Sequence, residues 1–181
     1  MTGLQRLPIG SAPLLFYPQP MASVPIPDCF AGQPPVAGDV ARGVTRLFCR
    51  QDLFAICEFP LPNGRRADMM AIDGKGQLVI VEIKVSRADL LGDGKWTDYL
   101  EYCDRFYWAV PSHLAAICDE ERFLPGEAGL LVADRYDAAI WREAAHRPLS
   151  PARRKAELLR FARRAARRLS AQIDPTLGEG Q

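Results

Sequence analysis

The sequence predicts a mixed α/β fold, in which a central sheet is flanked by helices and followed by a basic C-terminal helix. Apolar residues recur first at helical spacing and then in three short runs typical of strands. A second helical pattern and another strand follow, and the last long helical pattern is rich in arginine. The chain has 181 residues, which is enough to bury one sizeable core.

Each element has its own local signal. The first helix is predicted over 36–50 because Val40 and Val44 recur at helical spacing. Turns rich in Pro and Gly at 60–64 and 73–76 then separate three strands, and the second and third strands form a hairpin. The later elements are, in order, strands 53–59, 66–72 and 78–85, a helix at 96–104, strands 106–110, 129–133 and 138–141, and a helix at 151–169.

Composition divides the chain into three parts. Residues 1–35 contain 8 of the 15 prolines and are expected to form a poorly ordered lead-in. Residues 36–170 form the predicted domain, which includes the basic helix at 151–169, and residues 171–181 are a tail. A serine N-cap followed by proline marks the start of the basic helix.

Several classes of protein are disfavoured by composition. No run of about 18 apolar residues exists, so no membrane-spanning helix is predicted. Prolines interrupt the apolar residues near the N-terminus, so a signal peptide is not expected. The cysteines are odd in number, at 5, and never spaced as CxxC. This usage favours reduced thiols in a cytoplasmic protein over a disulfide framework or a zinc site.

The net charge of +1 conceals an asymmetry along the chain. Residues 1–146 carry 14 Lys/Arg and 19 Asp/Glu, whereas residues 147–181 carry 9 and 3. A basic helix of this kind suits sequence-independent binding to DNA phosphates. The alternative is a solvated amphipathic helix packed on the core. The DNA-contact candidates on this helix are Arg153, Arg154, Arg160, Arg163 and Arg164.

Two carboxylates and a lysine converge on the predicted hairpin. Asp68 lies on its first strand, and Glu82 and Lys84 share one face of its second strand. If residues 73–77 form the loop, Asp68 lies directly opposite Glu82, with Cβ atoms about 5 Å apart. A slip of one residue would place the two carboxylates on opposite faces, so the register tests the site. Glu58, on the preceding strand, is a candidate third carboxylate.

These side chains suit a divalent metal held against a phosphate. Mg²⁺ (or Mn²⁺) would bind Asp68 and Glu82, with Glu58 as a further ligand, because two close carboxylates repel each other without a cation between them. The metal would activate a water, and Lys84 would position that water and stabilise the transition state. The alternative is a set of surface charges on a half-exposed strand pair. Charges rarely interrupt so apolar a strand without a partner, which favours the metal site.

Lys95 is a further candidate for phosphate contact. Gly92 and Gly94 lie close to it, and they suit a loop that moves onto a ligand. The aromatic residues that follow would allow stacking on bases. The spacing of Trp96 and Tyr99 instead favours a stripe of core residues.

The pattern resembles the PD-(D/E)xK nuclease superfamily, whose core is helix, three strands, helix, strand. Asp68 and Glu82-Ile83-Lys84 match the motif's Asp and (D/E)xK positions, although Ala67 stands where the motif has proline. A narrower resemblance, from about 36 to 170, is to the bacterial MmcB-type DNA-repair proteins. The matching segments are Gly64-Arg65-Arg66-Ala67-Asp68, Val81-Glu82-Ile83-Lys84, Lys95-Trp96-x-Asp98-Tyr99, Tyr102-Cys103-Asp104-Arg105 and Ala133-Asp134-Arg135-Tyr136.

The resemblance implies a restriction-endonuclease-like fold, DNA as the partner and a role in repair. We therefore expect a cytoplasmic, Mg²⁺-dependent nuclease-like protein that hydrolyses DNA phosphodiesters. Other DNA-repair proteins are candidate partners, and no membrane is expected. The alternative is a non-catalytic DNA-binding or recruitment protein that keeps the nuclease fold. No pattern in the sequence marks a dimer interface.

Overall fold

The structure is a computed structural model that describes residues 35–178, so the lead-in predicted at 1–35 lies outside the described residues except for its last residue. The helices are α1 (Ala37–Arg50), α2 (Arg87–Gly92) and α3 (Pro151–Ile173). The strands are β1 (Leu53–Pro60), β2 (Arg66–Asp73), β3 (Leu78–Ile83), β4 (Arg105–Val110), β5 (Gly129–Ala133) and β6 (Ala138–Arg142). Short 3₁₀ helices span Trp96–Tyr102, Ser112–Asp119, Glu121–Phe123 and Pro175–Gly178.

The six strands form one mixed sheet in chain order. β1, β2 and β3 pair antiparallel, β3, β4 and β5 pair parallel, and β6 returns antiparallel to β5. Parallel neighbours need a crossover, and the crossover between β3 and β4 passes through α2 and a 3₁₀ helix. The predicted mixed α/β sheet, flanked by helices and followed by a C-terminal helix, is confirmed.

Each face of the sheet buries its own core. On one face, Val40 and Val44 of α1 pack against the inner side chains of β2, β3 and β4. On the other face, Phe161 of α3 and the 3₁₀ helices cover a second core. Trp96 and Tyr99 belong to this second core and are 3% and 7% exposed, so their prediction as core residues is confirmed. Full burial of each large apolar side chain contributes about 1.5–3 kcal/mol.

The segment predicted as a helix at 96–104 is instead a 3₁₀ helix, Trp96–Tyr102. Its buried residues are Trp96, Tyr99 and Tyr102, which recur at every third position. A 3₁₀ helix has three residues per turn, so this spacing aligns all three rings on the buried side. The aromatic pattern therefore indicated the buried face correctly and the helix type wrongly.

Helix α2 is absent from the predicted elements. The sequence feature that could have predicted α2 is Ser86, its N-cap. The Oγ of Ser86 accepts a hydrogen bond from the Asp89 backbone N at 3.2 Å. Helix α3 begins at Pro151 with Ser150 as N-cap and ends at Ile173, beyond the predicted end at 169. In the predicted tail at 171–181, residues 171–173 thus continue α3 and residues 175–178 form the last 3₁₀ helix, whereas residues 179–181 lie outside the described residues.

Asp104 ties α3 to the sheet. It is 1% exposed, and its carboxylate accepts hydrogen bonds from the backbone N of Leu78 at 2.7 Å and of Leu149 at 2.9 Å. Two guanidinium nitrogens of Arg154 complete the set at 2.6 and 2.8 Å, a bidentate pair. Burial acts to raise the pKa of Asp104, but these hydrogen bonds outweigh it and hold the pKa below its ordinary value.

Arg154 was predicted to contact DNA, and the structure places it elsewhere. It also donates to the Gly76 carbonyl at 2.8 Å, and its side chain is only 24% exposed. A guanidinium held by a buried carboxylate and a carbonyl has little freedom to contact a phosphate. We therefore assign Arg154 to the anchoring of α3.

Replacement of Arg154 by Ala should lower the free energy of unfolding by about 3 kcal/mol at neutral pH, because it leaves a buried carboxylate without its cation. The pKa of Asp104 is depressed in the folded protein, so this contribution is present at neutral pH and is lost as pH falls through the folded pKa. Urea unfolding at neutral and acidic pH measures both effects. The control is Arg163→Ala, an exposed arginine on the same helix, which should change stability little. Equal losses in the two variants would contradict the anchoring role.

Candidate active site

The register of β2 and β3 brings the two predicted carboxylates together. Ile72 pairs with Leu78 across the turn, and the pairing runs in step to Met69 opposite Val81. The pairing of Ile72 with Leu78 closes a loop at 73–77, as predicted. The next pair along the two strands is Asp68 opposite Glu82, so both carboxylates lie on the same side of the sheet.

At that pair, side chains replace the backbone hydrogen bonds of the ladder. The Asp68 backbone N donates to Oε1 of Glu82 at 3.2 Å, and the Ile83 backbone N donates to Oδ2 of Asp68 at 2.8 Å. Each carboxylate thus binds the backbone of the strand opposite. One oxygen of each group, Oδ1 of Asp68 and Oε2 of Glu82, is not used by these bonds and is available for a ligand.

The two carboxylates share an environment that disfavours their ionisation. Glu82 is 3% exposed, and burial together with the nearby charge of Asp68 raises its pKa to about 8. Asp68 is half-buried, and burial raises its pKa as well. A cation between the free oxygens would remove this cost. By this test the pair fits Mg²⁺, which commonly binds one or two protein carboxylates and keeps several waters.

Lys84 lies beside this pair but is held mainly by α2 and the loop after it. Its Nζ is 2.9 Å from Oδ2 of Asp93, 3.6 Å from Oδ1 of Asp89 and 3.8 Å from Oε2 of Glu82. Burial acts to lower the pKa of Lys84, yet Asp93 outweighs it and the pKa lies above its ordinary value. The lysine therefore stays cationic at neutral pH.

Glu58 binds an arginine, although its charge also acts on Asp68. It has a positive φ of 54°, and it interrupts the β1–β2 pairing between Cys57–Met69 and Phe59–Ala67. Its carboxylate is half-exposed and pairs with Nε of Arg66 at 2.5 Å. Within residues 35–178, no group of three or more His, Cys, Asp or Glu side chains is arranged to hold a metal ion. The role of Glu58 as a third ligand stays a prediction.

An open cleft of about 610 Å³ gives access to Lys84. Arg65, Asp93 and Lys95 also line it, together with residues of α2. Lys95 is exposed at this cleft, where it is available to a phosphate. Arg65 is held by Asp98 at 2.7 Å and adds a third positive charge to the wall, besides Lys84 and Lys95.

Three residues near Lys84 were not among the predicted site residues. Asp89 and Asp93 reach it from α2 and the loop that follows, and Arg65 reaches the cleft from the turn before β2. The Gly-Asp-Gly sequence at 92–94 could have indicated Asp93 as a site residue. Asp93 carries the one side chain of this short loop, so it is the residue that can contact a neighbouring element. Nothing in the spacing of Arg65 distinguishes it from a surface charge.

The arginines of α3 lie outside this cleft, and several of them contact residues of α3 or of the elements packed beneath it. Arg153 stacks 4.8 Å from the ring centroid of Tyr102, and Arg160 pairs with the buried Glu157 at 2.7 Å. Arg164 is half-buried, whereas Arg163 is exposed. The structure therefore brings together Asp68, Glu82 and Lys84, and it places Lys95 on the cleft that Lys84 lines. The candidate arginines of α3 do not line that cleft.

The chain is similar to a family of DNA-repair proteins and to one solved structure. The sequence profile of the family described as DNA repair protein MmcB-like matches residues 23–176. The chain belongs to this family. A solved structure, the SPO1766 protein of unknown function from Silicibacter pomeroyi, is similar at 44% identity with a TM-score of 0.71. The match covers 83% of this chain and 98% of that one, and comparison with curated proteins returned no match.

The family gives the protein a role in DNA repair. The described residues include no helix long and apolar enough to cross a membrane. Among the described residues, Cys49, Cys57, Cys103 and Cys118 form no disulfide bond.

Replacement of Glu82 by Gln should stabilise the metal-free protein, and more so as pH rises. The pKa of Glu82 is about 8 in the folded protein against an ordinary 4.5. A raised carboxyl pKa means that wild-type stability falls as pH rises between these two values and levels off above them. Gln avoids the ionisation and retains the oxygen that accepts from Asp68. Thermal melts from about pH 5 to about pH 9 without divalent metal measure the effect.

The matched control is Glu101→Gln, which changes an exposed glutamate on a 3₁₀ helix. Its melting temperature should differ from the wild type by an amount that pH barely changes. A pH-independent difference for Glu82→Gln as well would show that Glu82 ionises normally in the folded protein.

Proposed function

We propose that this family member is a metal-dependent deoxyribonuclease of the PD-(D/E)xK type that acts in DNA repair in the cytoplasm. The observation that carries the proposal is the pairing of Asp68 with Glu82 beside a charged Lys84 at an open cleft. Their spacing along β2 and β3 is that of the motif, and the cleft adds Lys95 for a phosphate. DNA is the proposed substrate, since the family acts in DNA repair.

Each residue has a distinct task in this proposal. Asp68 and Glu82 would hold Mg²⁺ or Mn²⁺ through the oxygens that their backbone hydrogen bonds leave available. The bound ion would supply an activated water and neutralise charge on the scissile phosphate. Lys84 would hold that water by a hydrogen bond and stabilise negative charge as it develops. Lys95 would fix the phosphate backbone at the cleft.

A second candidate is a DNA-binding or recruitment protein without turnover. One observation favours it: Asp93 holds Nζ of Lys84 at 2.9 Å, closer than Glu82 at 3.8 Å. A lysine that stayed in this ion pair would not reach a water at the metal. In that case Lys95 and the exposed Arg163 would serve binding alone.

Cleavage of labelled single-stranded, duplex and branched DNA with Mg²⁺ or Mn²⁺ separates the two candidates. Lys84→Ala should lower the cleavage rate by about a hundredfold or more, because it removes a charge that acts on the reacting phosphate. Its affinity for DNA should change little. Glu101→Gln is the control and should cleave like the wild type. Metal-independent binding without any cleavage by the wild type would establish the recruitment role instead.

Replacement of Lys95 by Ala should weaken binding of every DNA tested and reduce the slope of log affinity against log salt by about one, as loss of one phosphate contact does. Fluorescence anisotropy across a salt series measures both quantities. The control is Lys75→Ala, an exposed lysine in the β2–β3 turn at the opposite end of these strands from Asp68. Identical slopes for the two variants would remove Lys95 from the interface.

A further inference from the structure

Helix α3 carries a second apolar stripe, which is exposed and lies beside the buried one. Its inner side packs Leu158, Phe161 and Ala165 against the core. The outer stripe consists of Leu159, Ala162, Ala166, Leu169 and Ile173, all of them exposed. The three large side chains are 60%, 61% and 87% exposed, in chain order. A soluble protein rarely leaves such a continuous apolar row in water unless something binds it.

The spacing of the outer stripe fits another helix. Its members follow one another at intervals of 3, 4, 3 and 4 residues, the repeat that places knobs from one helix into holes of a second. The stripe runs for about 21 Å along the helix, and its centre lies about 90° around the axis from the buried side. Two alanines at its middle allow a partner backbone to approach closely.

Charge determines which kind of helix fits. α3 contains eight Lys/Arg and a single acidic residue, Glu157, which is buried. Lys155 lies at one end of the outer stripe and Arg163 lies beside it, and both are exposed. A helix with acidic residues on either side of its own apolar row would match both the row and these charges.

Two other occupants fit less well. A second copy of the chain would place two strongly basic α3 helices within about 10 Å of each other, which is close to the Debye length at physiological salt. A lipid surface would be expected to meet Trp, Phe or further Leu side chains, whereas the middle of this stripe is alanine. The inner side of α3 is also committed to the protein core.

We propose that the outer stripe of α3 is a docking site for an acidic amphipathic helix of a partner protein. None of the stripe residues belongs to the carboxylate pair or lines the cleft, and the proposal does not depend on nuclease activity. It gives the protein a way to join other components of repair while its cleft remains open to DNA.

The test uses the full chain and a fluorescein-labelled synthetic peptide of about 18 residues, with Leu at the a and d positions of a heptad and Glu at the flanking positions. We expect binding that weakens as salt rises. The double variant Leu159→Gln/Leu169→Gln should bind the peptide about tenfold more weakly or worse, since two apolar side chains leave the interface. Both leucines are exposed, so the variant should fold like the wild type.

Two controls match this test. Trp141→Gln removes another large exposed side chain, 64% exposed and on β6, and should leave peptide binding unchanged. A peptide of the same composition in scrambled order keeps the charge but loses the apolar row, and should not bind. Cleavage or binding of DNA by the double variant should equal that of the wild type, which separates this site from the proposed active site.

Several outcomes would overturn the proposal. Equal binding of the ordered and scrambled peptides would reduce the effect to charge alone. Dimerisation of the wild type at micromolar concentration, lost in the double variant, would assign the stripe to a second copy. Binding to phosphatidylglycerol vesicles, lost in the same variant, would assign it to a membrane. Protection of Leu159 and Leu169 from hydroxyl-radical labelling in the free monomer would show that the chain covers its own stripe.

Discussion

The antiparallel register of β2 and β3 is the constraint on which the candidate site depends. Side chains alternate along a strand, so a single-residue slip would move Asp68 away from Glu82 and bury the wrong face of both strands. The turn at 73–77 sets that register, and the apolar side chains of both faces hold it. Where the backbone ladder ends, the two carboxylates accept the freed N–H groups. The carboxylates of the site therefore continue the hydrogen bonding between β2 and β3 beyond the backbone ladder.

The opposite end of the same strands is fixed by a different buried carboxylate. Asp104 binds the backbone of Leu78 at the start of β3 and also Arg154 of α3. Asp104, whose carboxylate has hydrogen bonds and a cation, therefore fixes the start of β3. Glu82, which has no full counterion, lies near its other end. The contrast appears in their pKa values, which lie below the ordinary value for Asp104 and well above it for Glu82. Only the second kind of carboxylate gains from an added cation.

Much of this arrangement was predictable from local patterns. Strand alternation and one turn were sufficient to place Asp68 opposite Glu82, because both are properties of short segments. The partners of Lys84 and Arg154 were not predictable, since Asp93 and Asp104 meet them only after α2 and α3 dock on the sheet. The position of Glu58 was also not predictable. Its side-chain face was inferred from strand alternation, and its positive φ interrupts that alternation.

The charges around Lys84 explain why the site suits a divalent ion although a lysine is already present. Asp93 and Asp89 lie closer to its Nζ than Glu82 does, so most of its charge is committed to them. The pair Asp68–Glu82 therefore lacks a full counterion, as the raised pKa of Glu82 indicates. A phosphate brought to the cleft would add further negative charge beside these carboxylates. In the proposed nuclease, a metal ion held by the pair would neutralise both the carboxylates and the phosphate.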